Sequence, residues 1–344
     1  MTVSRNVVLR TVLGLAVSVI AVYILVQSVD VPAALRVLSA ATPVWVLVML
    51  GTVLIDVASR AARWQALLAP VATVAYRRVL GYTYLGYLAN NVLPARLGEL
   101  VRAHALGEGE GVSRTMVLGT VVVERIVDTV IVVAMAGLAV VILGVGGIMS
   151  TAVLLGAAFV GVLILGLTAA IFLHRLPGAE RFVGLARRWP KLVDLAARLR
   201  EGLAVATDGP ALGKALLFSA AAWTASIGTV LAGGRAVGVE LSIVEAALLS
   251  SGVALVTIVP SAPGYAGTFE LTAVAIAGLF GVAPEPALAL ALLVHAMILG
   301  VTSVGGVIAF FLGRRRRIKA EAPRPSTPVG GSGDGAAPLE EGRP

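Results

Sequence analysis

The chain has 344 residues, 58% hydrophobic and 13% charged, with a formal charge of +8 and no cysteine. Soluble domains carry about 25% charged residues, so this composition describes a polytopic membrane protein rather than a soluble enzyme or a nucleic-acid binder. Without cysteine there are no disulfides, thiolate metal sites or cysteine nucleophiles.

A spanning helix needs about 20 apolar residues. The first apolar run, Val7 to Gln27, lies between Arg5/Arg10 and Asp30. It is as long as a span and no small-residue cleavage site follows it, so it is expected to be retained rather than removed as a signal peptide. Further spans are expected over 43–65, 114–142, 149–173, 211–236 and 286–312. Two other apolar segments, about 78–106 and 243–281, are interrupted by Pro and Gly. The first break reads Asn90-Asn91-Val92-Leu93-Pro94-Ala95-Arg96-Leu97-Gly98-Glu99. The second runs from Ile258 to Glu270 and contains Pro260, Ser261, Pro263, Gly264, Gly267 and Thr268. Broken helices at corresponding positions of two halves point to a transporter's binding site. Their unpaired backbone is tolerated in a membrane only against protein or a water-lined cavity.

Charge orients these segments. Basic clusters lie at Arg5/Arg10, at Arg60 to Arg78, between 174 and 210, and at Arg314 to Lys319. All four fall on one side, the cytoplasmic one, if both broken segments are re-entrant hairpins. The fold class expected is therefore all-α, with six spanning helices and two re-entrant hairpins in an inverted repeat. Repeat one covers about 43–142 and repeat two about 211–312. Glu99 to Glu124 is 25 residues, and so is Glu270 to His295. Residues 1–315 then form one membrane domain in the cytoplasmic (inner) membrane, with both termini cytoplasmic. The connection 174–210 spaces Phe182, Leu185, Leu192, Leu195, Leu199 and Leu203 in near-helical fashion. It reads either as a basic amphipathic helix on lipid headgroups or as a solvated connector. The tail, 316–344, is rich in Pro, Gly, Ser and Glu and is expected to be disordered.

Ionisable residues at membrane depth are costly and are candidates for function. Arg96, Glu99 and Arg102 are spaced by three and share one helix side, with His104 nearby. Glu124 and Asp128 are four apart and face one way, beside Arg125. The two groups can neutralise each other, for example as Arg96 with Glu124 and Arg125 with Glu99. One reading is a structural clamp between the first hairpin and the third span. The other is a cavity in which Arg binds phosphate bidentately, helped by the helix start near Ala95 to Gly98. The second break offers Ser261, Gly264, Gly267 and Thr268 as donors, and Glu270 as the counterpart of Glu99. Pro94, Gly98, Pro260 and Pro263 make the breaks themselves. His295 is a candidate proton carrier or a packed hydrogen-bonding residue. Asp56, Arg60 and Arg63-Trp64 read as an interfacial anchor. Gly209 to Ala215 looks like a phosphate loop but is one residue too short between its glycines and lacks the hydroxyl residue after Lys214. No catalytic residue, metal site or cofactor is expected.

The run Arg60-x-x-Arg63-Trp64-x-x-Leu67-Leu68, then Asn91-x-x-Pro94-x-Arg96-x-Gly98-Glu99-x-x-Arg102, then Glu124-Arg125-x-x-Asp128, then Pro260-x-x-Pro263-Gly264-x-x-Gly267-x-x-Glu270 resembles the lysylphosphatidylglycerol synthase transmembrane-domain, or flippase-like, family over about residues 10–315. The resemblance implies a membrane domain that flips an aminoacylated phospholipid made by a synthase, which here would be a separate partner. Some members are associated with polyprenyl-linked sugars. The function expected is translocation of a phosphate-bearing lipid, phospholipid or polyprenyl-phosphate-linked. The alternatives are an intramembrane transferase acting on a lipid phosphate, with Glu124, Asp128 or His295 as base, and a non-transporting subunit of a synthase. The lipid and the oligomeric state stay open.

Overall fold

A computed structural model describes residues 5–93, 97–172, 190–257 and 261–321. The described chain is all-helical. Helix α1 (Arg5–Ser28) turns by 86° into α2 (Val31–Ser39). Asp30 makes that corner, its carboxylate accepting from the Ala33 amide at 3.0 Å, which satisfies one of the orphan donors at a helix start. Next come α3 (Pro43–Leu68), α4 (Tyr76–Val92), α5 (Gly98–Glu110), α6 (Arg114–Leu143) and α7 (Ile148–Phe172). The second half holds α8 (Pro190–Leu203), α9 (Gly209–Ala236), α10 (Ile243–Val256), α11 (Thr268–Gly278) and α12 (Pro284–Glu321). Helices α3, α6, α7, α9 and α12 are each long and apolar enough to cross a bilayer, and α1 with α2 passes the same test as a bent pair.

Both interrupted segments are broken where Pro and Gly fall, α4 from α5 and α10 from α11. Helix α12 reaches Glu321, beyond the boundary expected at 315. Its continuation, Arg314 to Glu321, contains no Gly or Pro and is made mostly of good helix formers.

The molecule is centred on α3, which packs most extensively against α9. Small residues permit this: Gly228 faces Thr52, Gly233 faces Leu290, Val294 and Met49, and the Thr52 and Thr229 hydroxyls meet at 2.9 Å. Close approach through small residues with hydroxyl hydrogen bonds is how helices associate without a hydrophobic driving force. Leu154, Leu155, Phe159, Val162 and Leu165 of α7 are all exposed, as suits a helix whose outer faces meet lipid.

Helix α8 is neither a free connector nor wholly a surface float. A Cβ on Gly202 would collide with the Met116 carbonyl, and one on Gly119 with the Leu199 carbonyl, so α8 lies directly on α6. Leu203 is buried and Leu199 packs beside it against Leu67, Val123 and Val205. Val193 and Leu195 stay exposed. Phe182, Leu185 and the Leu192 side chain lie outside the described residues.

Candidate functional site

Helix α3 brings three charges inward. Asp56, Arg60 and Arg63 are spaced four and three, so they share a face. Arg63 is not an interfacial anchor: its side chain is 0% exposed and sits at the centre of the ion network. It donates through Nη2 to Glu124 Oε1 at 2.8 Å, and through Nη1 to Asp128 Oδ1 at 2.8 Å and Ser219 Oγ at 3.3 Å. Arg60 donates to both Asp56 oxygens at 2.9 and 3.0 Å, and to Asp128 Oδ2 at 3.3 Å. Its guanidinium lies 5.0 Å from the Trp223 ring, whose indole N–H donates to Asp128. Arg102 bonds Glu124 Oε2 at 2.8 Å and stacks 4.5 Å from Trp64. Arg125 bonds Glu124 Oε1 at 2.9 Å and approaches Asp128 at 3.6 Å.

For Arg125 this differs from the pairing expected from sequence. Glu124 is held by Arg63, Arg102 and Arg125, and Arg125 pairs with Glu124 and Asp128 rather than with Glu99. The physical reason is that α3 adds Arg63, a buried cation, to the Arg102–Glu124 contact already made between α5 and α6. Arg96, Pro94 and Pro260 lie outside the described residues. His104 is exposed and meets Glu108 at 3.1 Å, away from the cluster. Buried ions need several charge-assisted partners to repay desolvation. Glu124 and Arg63 have them. Arg125 is otherwise placed, with a side chain 42% exposed.

A cavity of about 350 Å3 opens beside this network. Asp56, Arg60, Glu99, Arg102, Arg125 and Asp128 line it: three acids and three bases. Tyr87, Asn90, Trp223, Tyr265 and His295 complete its polar and aromatic wall. It touches both breaks. At the first, Asn90 Oδ1 accepts from the Gly98 amide at 2.8 Å. Gly98 also lies against the Gly86 carbonyl so closely that a Cβ there would collide. The neighbouring Asn91 donates to Thr302 and Ser303 of α12 at 2.9 and 3.0 Å. Glu99 projects into this cavity and makes no salt bridge among the described residues.

At the second break, Gly264 and Gly267 have φ of +68° and +83°, the left-handed region that glycine favours. His295 Nε2 meets the Gly264 carbonyl at 2.7 Å and Nδ1 meets Glu270 Oε1 at 2.5 Å, while Glu270 Oε2 accepts from the Gly267 amide at 2.8 Å. Thr268 Oγ1 donates to the Tyr265 carbonyl. Ser261 packs on α1, where a Cβ on Gly14 would strike its carbonyl. Ser261, Gly264, Gly267 and Thr268 are not among the residues that line the cavity. The Ser261 hydroxyl is buried without a partner among the described residues, and Glu270 belongs to a pair with His295 rather than standing as a second Glu99.

Arg60, Arg63 and Asp56 were the residues that sequence reasoning undervalued. Their four-and-three spacing inside an apolar span was the available signal. Trp223 had no such signal, because its approach to Tyr87 and Asn90 across the cavity is made by helices distant in sequence.

The whole constellation falls within residues 11–306, the stretch matched by the family model of the lysylphosphatidylglycerol synthase transmembrane region. The chain belongs to this family. As a member of the lysylphosphatidylglycerol synthase transmembrane family it is a multi-pass membrane protein. It is also similar to the glycosyltransferase AglD of Haloferax volcanii, 27% identical over 335 residues, covering 86% of this chain and 53% of that protein. The chain thus spans about half the length of this curated relative.

Proposed function

We propose that the protein moves a phosphate-bearing lipid across the cytoplasmic membrane. The headgroup passes through the charged cavity while the tails remain in the bilayer. One observation carries this reading: a cavity with balanced acidic and basic walls touches both broken helices of a membrane domain. Its volume is in the range of small-molecule sites. Arg125 is the phosphate-binding residue, with Arg96 of the first break as a second candidate. Glu99 takes a cationic group on the same lipid. Arg63 and Glu124 are too deeply enclosed to meet substrate and act as the frame. The segments α4–α5 and α10–α11 are re-entrant hairpins of an inverted repeat, and the basic clusters face the cytoplasm.

Purified protein in liposomes tests this. A fluorescent phospholipid, or a polyprenyl phosphate carrying a sugar, should cross faster than in empty vesicles without chemical change, and Arg125→Ala should abolish the excess. No movement of any lipid in the panel would overturn the reading. A second reading, group transfer onto a lipid phosphate, is favoured by the similarity to the Haloferax glycosyltransferase. The same liposomes separate the two: a product of altered mass marks a transferase.

A further inference from the structure

The Glu270–His295 pair can be read by counting protons. The Gly264 carbonyl has none to give, so His295 Nε2 must carry a hydrogen to bond it. Nδ1 then faces Glu270 Oε1, while Oε2 already accepts from the Gly267 amide. A neutral imidazole and an ionised carboxylate would set two lone pairs against each other. The arrangement is complete only with one further proton between Nδ1 and Oε1, whether drawn as imidazolium with carboxylate or as imidazole with carboxylic acid. Phe269 stacks on the imidazole at 4.2 Å and 13°, which suits the charged form.

We propose that Glu270 and His295 together form a proton-binding site that latches the second break. With the proton bound, one chain of hydrogen bonds ties α12 to both left-handed glycines. When it leaves to water in the cavity, which His295 lines, the Nδ1–Oε1 contact becomes repulsive. His295 and Glu270 part, and the Gly264–Gly267 turn loses its anchor. The charged groups around the pair are few. Asp56 and Arg60 of α3, Glu99 and Arg102 of α5, and Arg125 and Asp128 of α6 line the same cavity, with Tyr87 of α4 among them. Of the other packed helices, α1 presents Ser18 at the break and α2 carries Arg36. Arg235 of α9 stacks on Trp45, and Glu245 of α10 caps its own helix. That the latch gates lipid passage rests on the translocase reading, whereas the proton site does not.

Hydrogen exchange of the segment 261–272 in the purified wild-type chain reads the latch directly and needs no lipid substrate. Rates are corrected for the intrinsic effect of pH between about pH 5 and about pH 9, a range spanning free imidazole. Protection of the Gly267 amide should fall by about tenfold or more as the pH rises, the order expected for losing an ordinary hydrogen bond. Glu270→Gln keeps every contact without the proton: its amide N–H donates to Nδ1 and its carbonyl accepts from Gly267. It should stay protected at all pH values. His295→Ala should be unprotected throughout. Wild-type protection that does not change with pH, or a Glu270→Gln chain that opens along the wild-type curve, would overturn the proposal. Failure of lipid transport with a pH-sensitive latch would overturn the translocase reading alone.

Discussion

Arg63 and Arg125 bind the same carboxylates, yet the structure assigns them different consequences. Replacing Arg63 by Met keeps the volume and removes the buried cation. Glu124 then loses its 2.8 Å partner, and Asp128 loses another. Breaking a buried pair costs about 3–5 kcal/mol. Here Glu124 keeps Arg102 and Arg125, and Asp128 keeps Arg60 and the Trp223 indole. Among the described residues the Arg63 Nε has no partner to lose. The expected loss is therefore at the low end, about 3 kcal/mol. Arg125, whose side chain is 42% exposed, should cost no more than about 1 kcal/mol when changed to Met. Unfolding in mixed micelles, followed by tryptophan fluorescence, measures both. Lipid movement in liposomes should show the reverse order, with Arg125→Met inactive though folded. Equal destabilisation by the two changes, or an Arg63→Met chain as stable as the parent, would refute the division between frame and cavity wall.

Asn90→Ala removes the acceptor of the Gly98 amide and should cost about 1 kcal/mol; Asn90→Asp keeps the acceptor and should recover most of the loss in the same unfolding measurement. Gly202→Val puts a side chain against the Met116 carbonyl, so α8 must lift from α6, at about 1–3 kcal/mol and with faster proteolysis within 190–203. Single cysteines replacing Arg187 and Arg315 should label only from the cytoplasm, and those replacing Gly146 and Glu285 only from outside. Labelling of Gly146→Cys and Arg315→Cys from one side would remove the hairpin topology.

The helical segments were legible because length and apolarity are local properties, and the breaks because Pro and Gly act on their own backbone. The partners were not. Arg125 and Glu99 have opposite charge and plausible positions, but Arg102 of α5 and Arg63 of α3 gather on Glu124, and Arg125 joins them there. Asp56, Arg60 and Arg63 resembled a headgroup anchor because charge near a helix end reads the same whether that end is wet or enclosed by α6 and α9. The Gly267 amide and the Thr268 hydroxyl looked available because sequence cannot show that Glu270 and the Tyr265 carbonyl have already taken them up.

Helix α12 holds the first break through Thr302 and Ser303 and the second through His295. These positions are seven and eight residues apart, about 11 Å along a helix. A displacement of α12 along its axis is thus felt at both ends of the cavity by one rigid rod. The two ends are coupled for as long as both sets of side-chain bonds hold, and loss of the His295 contacts alone would release the second break while α12 still holds Asn91.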